Sequence, residues 1–448
     1  MEVLSLSEMK IDITREKRYT PLVSSIEKVA NAELEKDAFN NKYRFFMAFL
    51  LCFSAGLGIF AITMMNPLLV SISEDIGVDV VTTGAVSGIV ALFLGISTLF
   101  GSIFVGKFNS KALMIFAMTT ITAGQLIVYI ATSLVGILIG RSLVGLGFGI
   151  ISVSSMMIYT CWFSVKERPI VISISSLSSA AFTYLGVALA FPLCKIFGNS
   201  WRHAFLSIGI MTAFATAAWV FFGRENKAYL KYAEANIKDG KLQAKKQNGL
   251  SAAIKRVDVW LLTGFAGLAT IASTGLGIYL VPFFQLVRNS TPEVAANYLS
   301  IISAAGIPGF FLSGVLASAL GRRKILFIPA SIFAAVGIVI TLISDKPFAT
   351  VVGLIIFGCC NSIRTNLCST VITELKGGSP ELAAGGVSLV FGVGPILGFI
   401  LPIILSTFGE SLSLTQVMIV LAVLITASVP FGLLIKETGP RRNKNSEV

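Results

Sequence analysis

From Arg44 to about residue 435 the chain is a succession of apolar blocks, separated by short clusters of charge, glycine and asparagine. A helix needs about 20 apolar residues to cross a bilayer. Blocks of that length fall near 45–70, 82–106, 112–133, 135–162, 170–193, 204–222, 259–285, 298–319, 325–343, 349–372, 384–406 and 414–435. The pattern predicts an all-α polytopic membrane protein with twelve spans. The longest polar interruption, 223–258, follows the sixth span and divides the set into two bundles, 44–222 and 259–435. Residues 1–43 mix both signs of charge and hold no apolar h-region, so they read as a soluble tail rather than a cleaved leader. A second tail follows at 436–448.

Composition agrees. Apolar residues make up 55% and charged residues 13%, with a mean hydropathy of +0.84, whereas soluble domains carry about a quarter charged residues. A water-soluble multidomain enzyme is excluded. The net charge of +12 would suggest nucleic acid in a soluble protein. Here the charges sit at span ends, and nucleic acid is not an expected partner. With the N-terminus inside, 29 of the 35 Lys and Arg fall on the inner side and only Lys195, Arg202, Arg288 and Lys346 on the outer side. That bias predicts cytoplasmic termini in an inner or plasma membrane. The 223–258 loop, with Lys227, Lys231, Lys238, Lys241 and Lys245, reads as a partly helical linker along anionic headgroups. The six cysteines follow no metal-ligand spacing and read as small hydrophobes, without disulfides.

Several local patterns repeat. GVLASALGRRK, Gly314 to Lys324, stands between spans 8 and 9, where Gly314 and Gly321 frame an expected tight turn and Arg322, Arg323 and Lys324 reach the headgroups. GSIFVGKFNSK, Gly101 to Lys111, is its weaker counterpart between spans 2 and 3. Span 4 carries Arg141 on a face smoothed by Gly145, Gly147 and Gly149, and span 11 carries Gly394, Pro395 and Gly398. With WFSVKERP (162–169) and WRHAF (201–205), these motifs resemble the major facilitator superfamily of secondary transporters over about 44–436. The basic turn departs from the family pattern at Ser318 and Ala319, and the first-half turn departs at Gly106. The resemblance implies two six-helix bundles, a substrate site between them near the midplane, and alternating access by rocking. It also implies gating or conformational roles for Gly314, Gly321, Arg322, Arg323, Gly145, Gly149, Gly394 and Pro395. Aligning VGILIG (135–140) with VGLIIF (352–357) superposes spans 4 and 10 without gaps.

Charge inside the membrane points to chemistry. No acid falls well inside a span, but Arg141 and Arg364 do. A buried charge costs at least about 2.5–3.5 kcal/mol, so it faces a polar cavity or a partner. Arg141 lies about 9 Å from the outer surface at 1.5 Å per residue. It can snorkel outward, border a cavity along the face of Ser152, Ser155 and Tyr159, or satisfy the carbonyls of a broken helix. Arg364, about 21 Å deep, is beyond such reach. With Asn361 on its face it suits a carboxylate, and the alternative is a structural arginine bonded to backbone carbonyls. Asn366 reads as an interhelical contact. Tyr159, Tyr279, Ser273 and Gln125 complete the expected substrate-binding set, and Thr63, Asn66, Thr183, Tyr184, Thr274 and Gln285 also border the path. The sole histidine, His203, sits at an external turn. The resulting expectation is a monomeric carrier of a small organic anion, needing no cofactor or metal. A multidrug exporter is the alternative, and no catalytic constellation supports an enzyme.

Overall fold

The computed structural model describes residues 41–104, 109–163, 167–196, 198, 200–229, 249–320, 323–374, 380–407 and 413–437. Among them every regular element is helical. Span 1 is Tyr43–Thr63, a 3-10 turn at Asn66–Leu68, then Leu69–Ile76. Spans 2 to 6 are Val80–Phe104, Ser110–Ile130, Leu134–Trp162, the pair Arg168–Ala188 and Ala190–Ile196, and Trp201–Phe222. After a short helix at Gly249–Ile254, spans 7 to 12 are Val257–Pro282 with a π turn at Phe283–Val287, Pro292–Leu320, Lys324–Ile343, Pro347–Glu374, Pro380–Thr407, and Leu414–Ala427 with Val429–Leu434.

Ten of these are long and apolar enough to cross a membrane, or eleven when the two helices of span 5, bent by 51°, count as one. Span 11 qualifies as a shorter apolar helix, Ser388–Phe399, so twelve is an approximate count. The ends follow local chemistry. Asn109 accepts the Ala112 N–H at the start of span 3, Ser413 and Gln416 form a reciprocal cap on span 12, and Gly77 ends span 1 at φ 74°.

Three expectations change. Gly314 lies inside the helix of span 8, which runs on to Leu320, because Ala317, Ser318 and Ala319 continue a helix-compatible run. It therefore does not belong to the turn, while Gly321, Arg322 and Gly106 lie outside the described residues, as do 230–248 of the linker. Span 1 extends beyond residue 70, across a break that Pro67 enforces. The gapless alignment of spans 4 and 10 is also displaced by one helical turn. A Cβ built on Gly124 would stand 2.5 Å from the Gly140 carbonyl oxygen, and one on Gly337 would stand 2.5 Å from that of Gly353. One built on Gly145 would meet the Val90 oxygen at 2.4 Å, and one on Gly358 would meet the Ile302 oxygen at 2.4 Å.

These matched approaches set Gly140 opposite Gly353 and Gly145 opposite Gly358. Spans 2, 3 and 4 thus pack as spans 8, 9 and 10 do, through glycines that let backbones meet. Where Gly149 faces Ser97 in the first set, Ser362 faces Gly309 in the second. Ion pairs tie the ends. Arg202 bonds Asp75 at 2.5 Å and the Ala131 carbonyl at 3.2 Å, Arg44 pairs with Glu167 at 3.0 Å, and Arg288 pairs with Asp345. At the start of span 9, Glu437 accepts the backbone N–H of Arg323 at 2.6 Å and of Lys324 at 3.1 Å. All six cysteines are free thiols.

The seam can be tested with single methyl groups. Gly145→Ala should lower stability by about 1–3 kcal/mol through overpacking. Gly209→Ala, whose new Cβ would meet the end of the Leu126 side chain at 3.3 Å, should lower it by less, because a flexible side chain can give way where the Val90 carbonyl cannot. Thermal unfolding of the purified protein in detergent reads the difference.

Candidate functional site

The break in span 1 organises the first half of the site. Proline lacks an N–H, and its ring collides with the carbonyl four residues back. The helix accordingly stops at Thr63, four residues before Pro67. Its terminal carbonyls are left without helical partners. Arg141, 1% exposed, fills the gap. Its Nη1 donates to the Ala61 carbonyl at 2.8 Å and its Nη2 to the Ile62 carbonyl at 2.8 Å. Gln125 adds a donor to Ala61 at 3.3 Å. Of the roles open to Arg141, snorkelling is thus set aside, because the broken helix offers acceptors inside the protein. The arginine still borders a cavity, and its Nε has no partner.

That cavity, of about 340 Å³, lies between the two sets of helices. Span 1 contributes Thr63 and Asn66, span 2 Ser87, span 5 Thr183, span 7 Thr270, Ser273 and Thr274, and span 10 Asn361, with Pro395 of span 11 among the apolar lining. Along span 2 its lining residues, Ser87 to Leu94, lie between two cross-half approaches. At one, a Cβ on Gly84 would meet the Tyr279 ring at 2.8 Å; at the other, a Cβ on Gly95 would meet the Gly392 oxygen at 2.4 Å. Eleven helical residues separate them, about 16 Å. Beyond the Tyr279 end, Lys195 pairs with Glu293 across the halves at 2.7 Å.

Arg364 is as deeply buried as Arg141. It lies behind the cavity wall rather than in it. Its Nη2 donates to Asn361 Oδ1 at 2.8 Å, while Nε and Nη1 have no hydrogen-bond partner. Phe265 lies with its ring centroid 5.8 Å from the guanidinium carbon, a contact the sequence pattern did not single out. Asn361 Oδ1 also lies 3.2 Å from Ser273 Oγ. Among the described residues neither embedded arginine has a carboxylate partner, and no acid lines the cavity.

The other expected residues divide. Ser273, Asn361, Asn66, Thr63, Thr183, Thr274 and Pro395 come together at the cavity. Tyr159, Tyr279 and Gln125 are buried in helix seams and do not line it, and Tyr184 is exposed. Gly145 and Gly149 pack on span 2, and Gly394 packs on Thr270 of span 7. Asn366 bonds Ser313 of span 8 at 2.5 Å, an interhelical contact. Ser87 and Ser303 were not singled out beforehand. Thr270, Ser273, Thr274 and Gly277 share one face of span 7 at spacings of three, four and seven, which is the signal that finds them.

The Major Facilitator Superfamily profile matches residues 51–398. The chain belongs to that family and is a transporter, not an enzyme. Part of it, 135 residues, is 27% identical to the arabinose-proton symporter of Bacillus subtilis (strain 168). That match takes in 30% of this chain and 28% of the relative, so the chain spans less than a third of the curated relative it matches. A bacterial homolog of the human lysosomal transporter Spinster, solved inward-facing and unoccupied, superposes with a TM-score of 0.71 at 16% identity, covering 88% of this chain and 97% of that one. The D-xylose-proton symporter gives 0.68 at 12%, covering 89% and 98%. The peptide transporter POT in complex with sulfate gives 0.66 at 14%, covering 87% and 93%.

The clamp on span 1 makes a coupled prediction. Arg141→Ala should destabilise by about 2–4 kcal/mol, since it strips buried carbonyls of charged donors. Pro67→Ala lets the helix run on and meet those carbonyls with its own N–H donors, so the double variant should lose less than the sum of the singles. A double-mutant cycle on unfolding midpoints checks it, and strict additivity would mean the arginine does not serve the break.

Proposed function

We propose that this transporter carries a small organic anion, a carboxylate, bound at the Asn361 wall of the cavity beside Arg364. The observation that carries the reading is the pair of embedded guanidinium groups with no described carboxylate partner. Arg141 spends both Nη groups on span 1, which leaves Arg364 as the cation with nitrogens to spare. A unit charge about 7 Å away, at an effective dielectric of about 20, favours an anion by about 2 kcal/mol. That is roughly thirtyfold in affinity. The cavity volume lies at the lower end of ligand sites, which favours a small solute over the bulky compounds of a drug exporter.

Alternating access fits the bracketed cavity. Parting Gly84 from Tyr279 opens one end, and parting Gly95 from Gly392 opens the other. Gly314, Gly321, Arg322, Arg323, Gly145, Gly149, Gly394 and Pro395 are the residues to which this reading gives gating or conformational roles. The charge bias supports cytoplasmic termini and linker in a cell membrane, with the monomer as working unit. A neutral sugar is the second reading. It is favoured by the hydroxyl-lined wall and by the sugar–proton symporters among the similar proteins.

Affinity decides between them. In purified protein, Arg364→Gln should weaken binding of its carboxylate substrate ten- to hundredfold, and Arg364→Lys should weaken it less because the charge persists. Calorimetric titration of a carboxylate panel, on variants with wild-type melting points, measures this. Unchanged affinity in Arg364→Gln would sink the anionic reading and leave the sugar in its place.

Topology is checked separately. Ser251, exposed on the Gly249–Ile254 helix, should stay unlabelled as Ser251→Cys in sealed right-side-out vesicles treated with an impermeant thiol reagent. Labelling without permeabilisation would invert the orientation.

A further inference from the structure

The hydrogen-bond polarity of the cavity says what the anion carries besides its charge, an inference that rests on the anionic reading above. A guanidinium can only donate, so the Asn361 amide must turn its oxygen to Arg364. Its Nδ2 is then left as a donor at the cavity wall, polarised by the cation behind it. Asn66, whose Oδ1 accepts from Ser87 Oγ, likewise leaves its Nδ2 as a donor among the lining residues. Four of the lining hydroxyls present the opposite polarity.

Thr183 Oγ1 donates its proton to the Ser179 carbonyl at 2.8 Å, and Thr270 Oγ1 donates to the Ala266 carbonyl at 2.9 Å. Ser273 Oγ donates to the Ala269 carbonyl at 2.8 Å, and Ser87 Oγ to Asn66 Oδ1 at 3.1 Å. Each hydroxyl has one hydrogen, so each now offers lone pairs only. A bound solute must therefore bring an acceptor to Asn361 and several donors to the hydroxyls. Ammonium donors fit poorly, because the wall holds buried cations and no described acid. Alcohol hydroxyls fit.

We infer that the solute is a polyhydroxylated monocarboxylate, its carboxylate at Asn361 and its hydroxyl groups along Ser87, Thr183, Thr270 and Ser273. A single carboxylate suffices because both Nη groups of Arg141 are committed to backbone. This solute combines the charge that Arg364 favours with hydroxyls for the lone pairs of those four side chains, between which the wall is apolar.

The test uses the whole protein in detergent and three probes of equal chain length: gluconate, hexanoate and sorbitol. Calorimetry should give gluconate at least tenfold tighter binding than either of the others. Thr183→Val should weaken gluconate about fivefold and leave hexanoate unchanged, and Thr183→Ser should restore gluconate. If hexanoate binds as well as gluconate, the hydroxyl inference fails while the anionic reading stands. If sorbitol matches gluconate, the anionic reading itself fails and takes the inference with it. Absence of binding by all three, or indifference of gluconate to Thr183→Val, also overturns the inference.

Discussion

A carbonyl left bare inside a bilayer has no water to turn to, and each one costs several kcal/mol. Span 1 creates such carbonyls at Ala61 and Ile62 by ending before Pro67, and the fold answers with Arg141 from span 4 and Gln125 from span 3. Much follows from that answer. Three helices are pinned at one point. The 3-10 turn at Asn66–Leu68 is held where Asn66 reaches the cavity. Hydrogen bonds to a charged group contribute about 1.5–3 kcal/mol each, enough for two of them to offset the roughly 2.5–3.5 kcal/mol of placing an arginine in a membrane. Arg141 is therefore tolerated without an acid.

Glycine seams give each set of helices its rigidity. Gly124 with Gly140, and Gly337 with Gly353, approach at backbone distance in both directions. Such contacts have no side chains to slide and no slack to lose. The two approaches that bracket the cavity differ in kind, a tyrosine ring over Gly84 and a bare meeting of Gly95 with Gly392. A ring can turn aside about its own side-chain bonds, whereas a backbone contact must separate as a body. The two ends of the cavity thus differ in how they can open.

The apolar blocks were legible because the bilayer imposes length and hydrophobicity on every span. Other features were not, for physical reasons. The register between spans 4 and 10 slipped by one turn because a helical apolar pattern matches itself nearly as well after one turn, and only the glycine contacts discriminate. Gly314 read as a turn residue because glycine permits turns, yet no charge or proline follows it before Arg322. Arg141 was legible as a residue that could satisfy a broken helix, but which helix it serves was not, because span 1 and Arg141 lie far apart along the chain and no local pattern joins them. That Arg364 lies within span 10, away from both helix ends, was legible from counting. The direction of the Asn361 amide was not, since sharing a helix face says nothing about which amide atom meets the guanidinium.

That direction bears on transport itself. An arginine projecting into the cavity would meet a carboxylate as a bidentate pair, shorter and roughly twice as strong as a neutral hydrogen bond. A carrier must release what it binds, and uniform tight binding of the solute would slow that release. With Arg364 recessed behind Asn361, the carboxylate on the proposed reading meets a neutral amide and feels the cation at one remove. The attraction falls to about 2 kcal/mol at an effective dielectric of about 20, enough to select for charge and small enough to be undone as the halves part. Phe265, beside the guanidinium, supports the recess by covering the charge with an aromatic face instead of an acid. An acid there would neutralise the field on which selection depends.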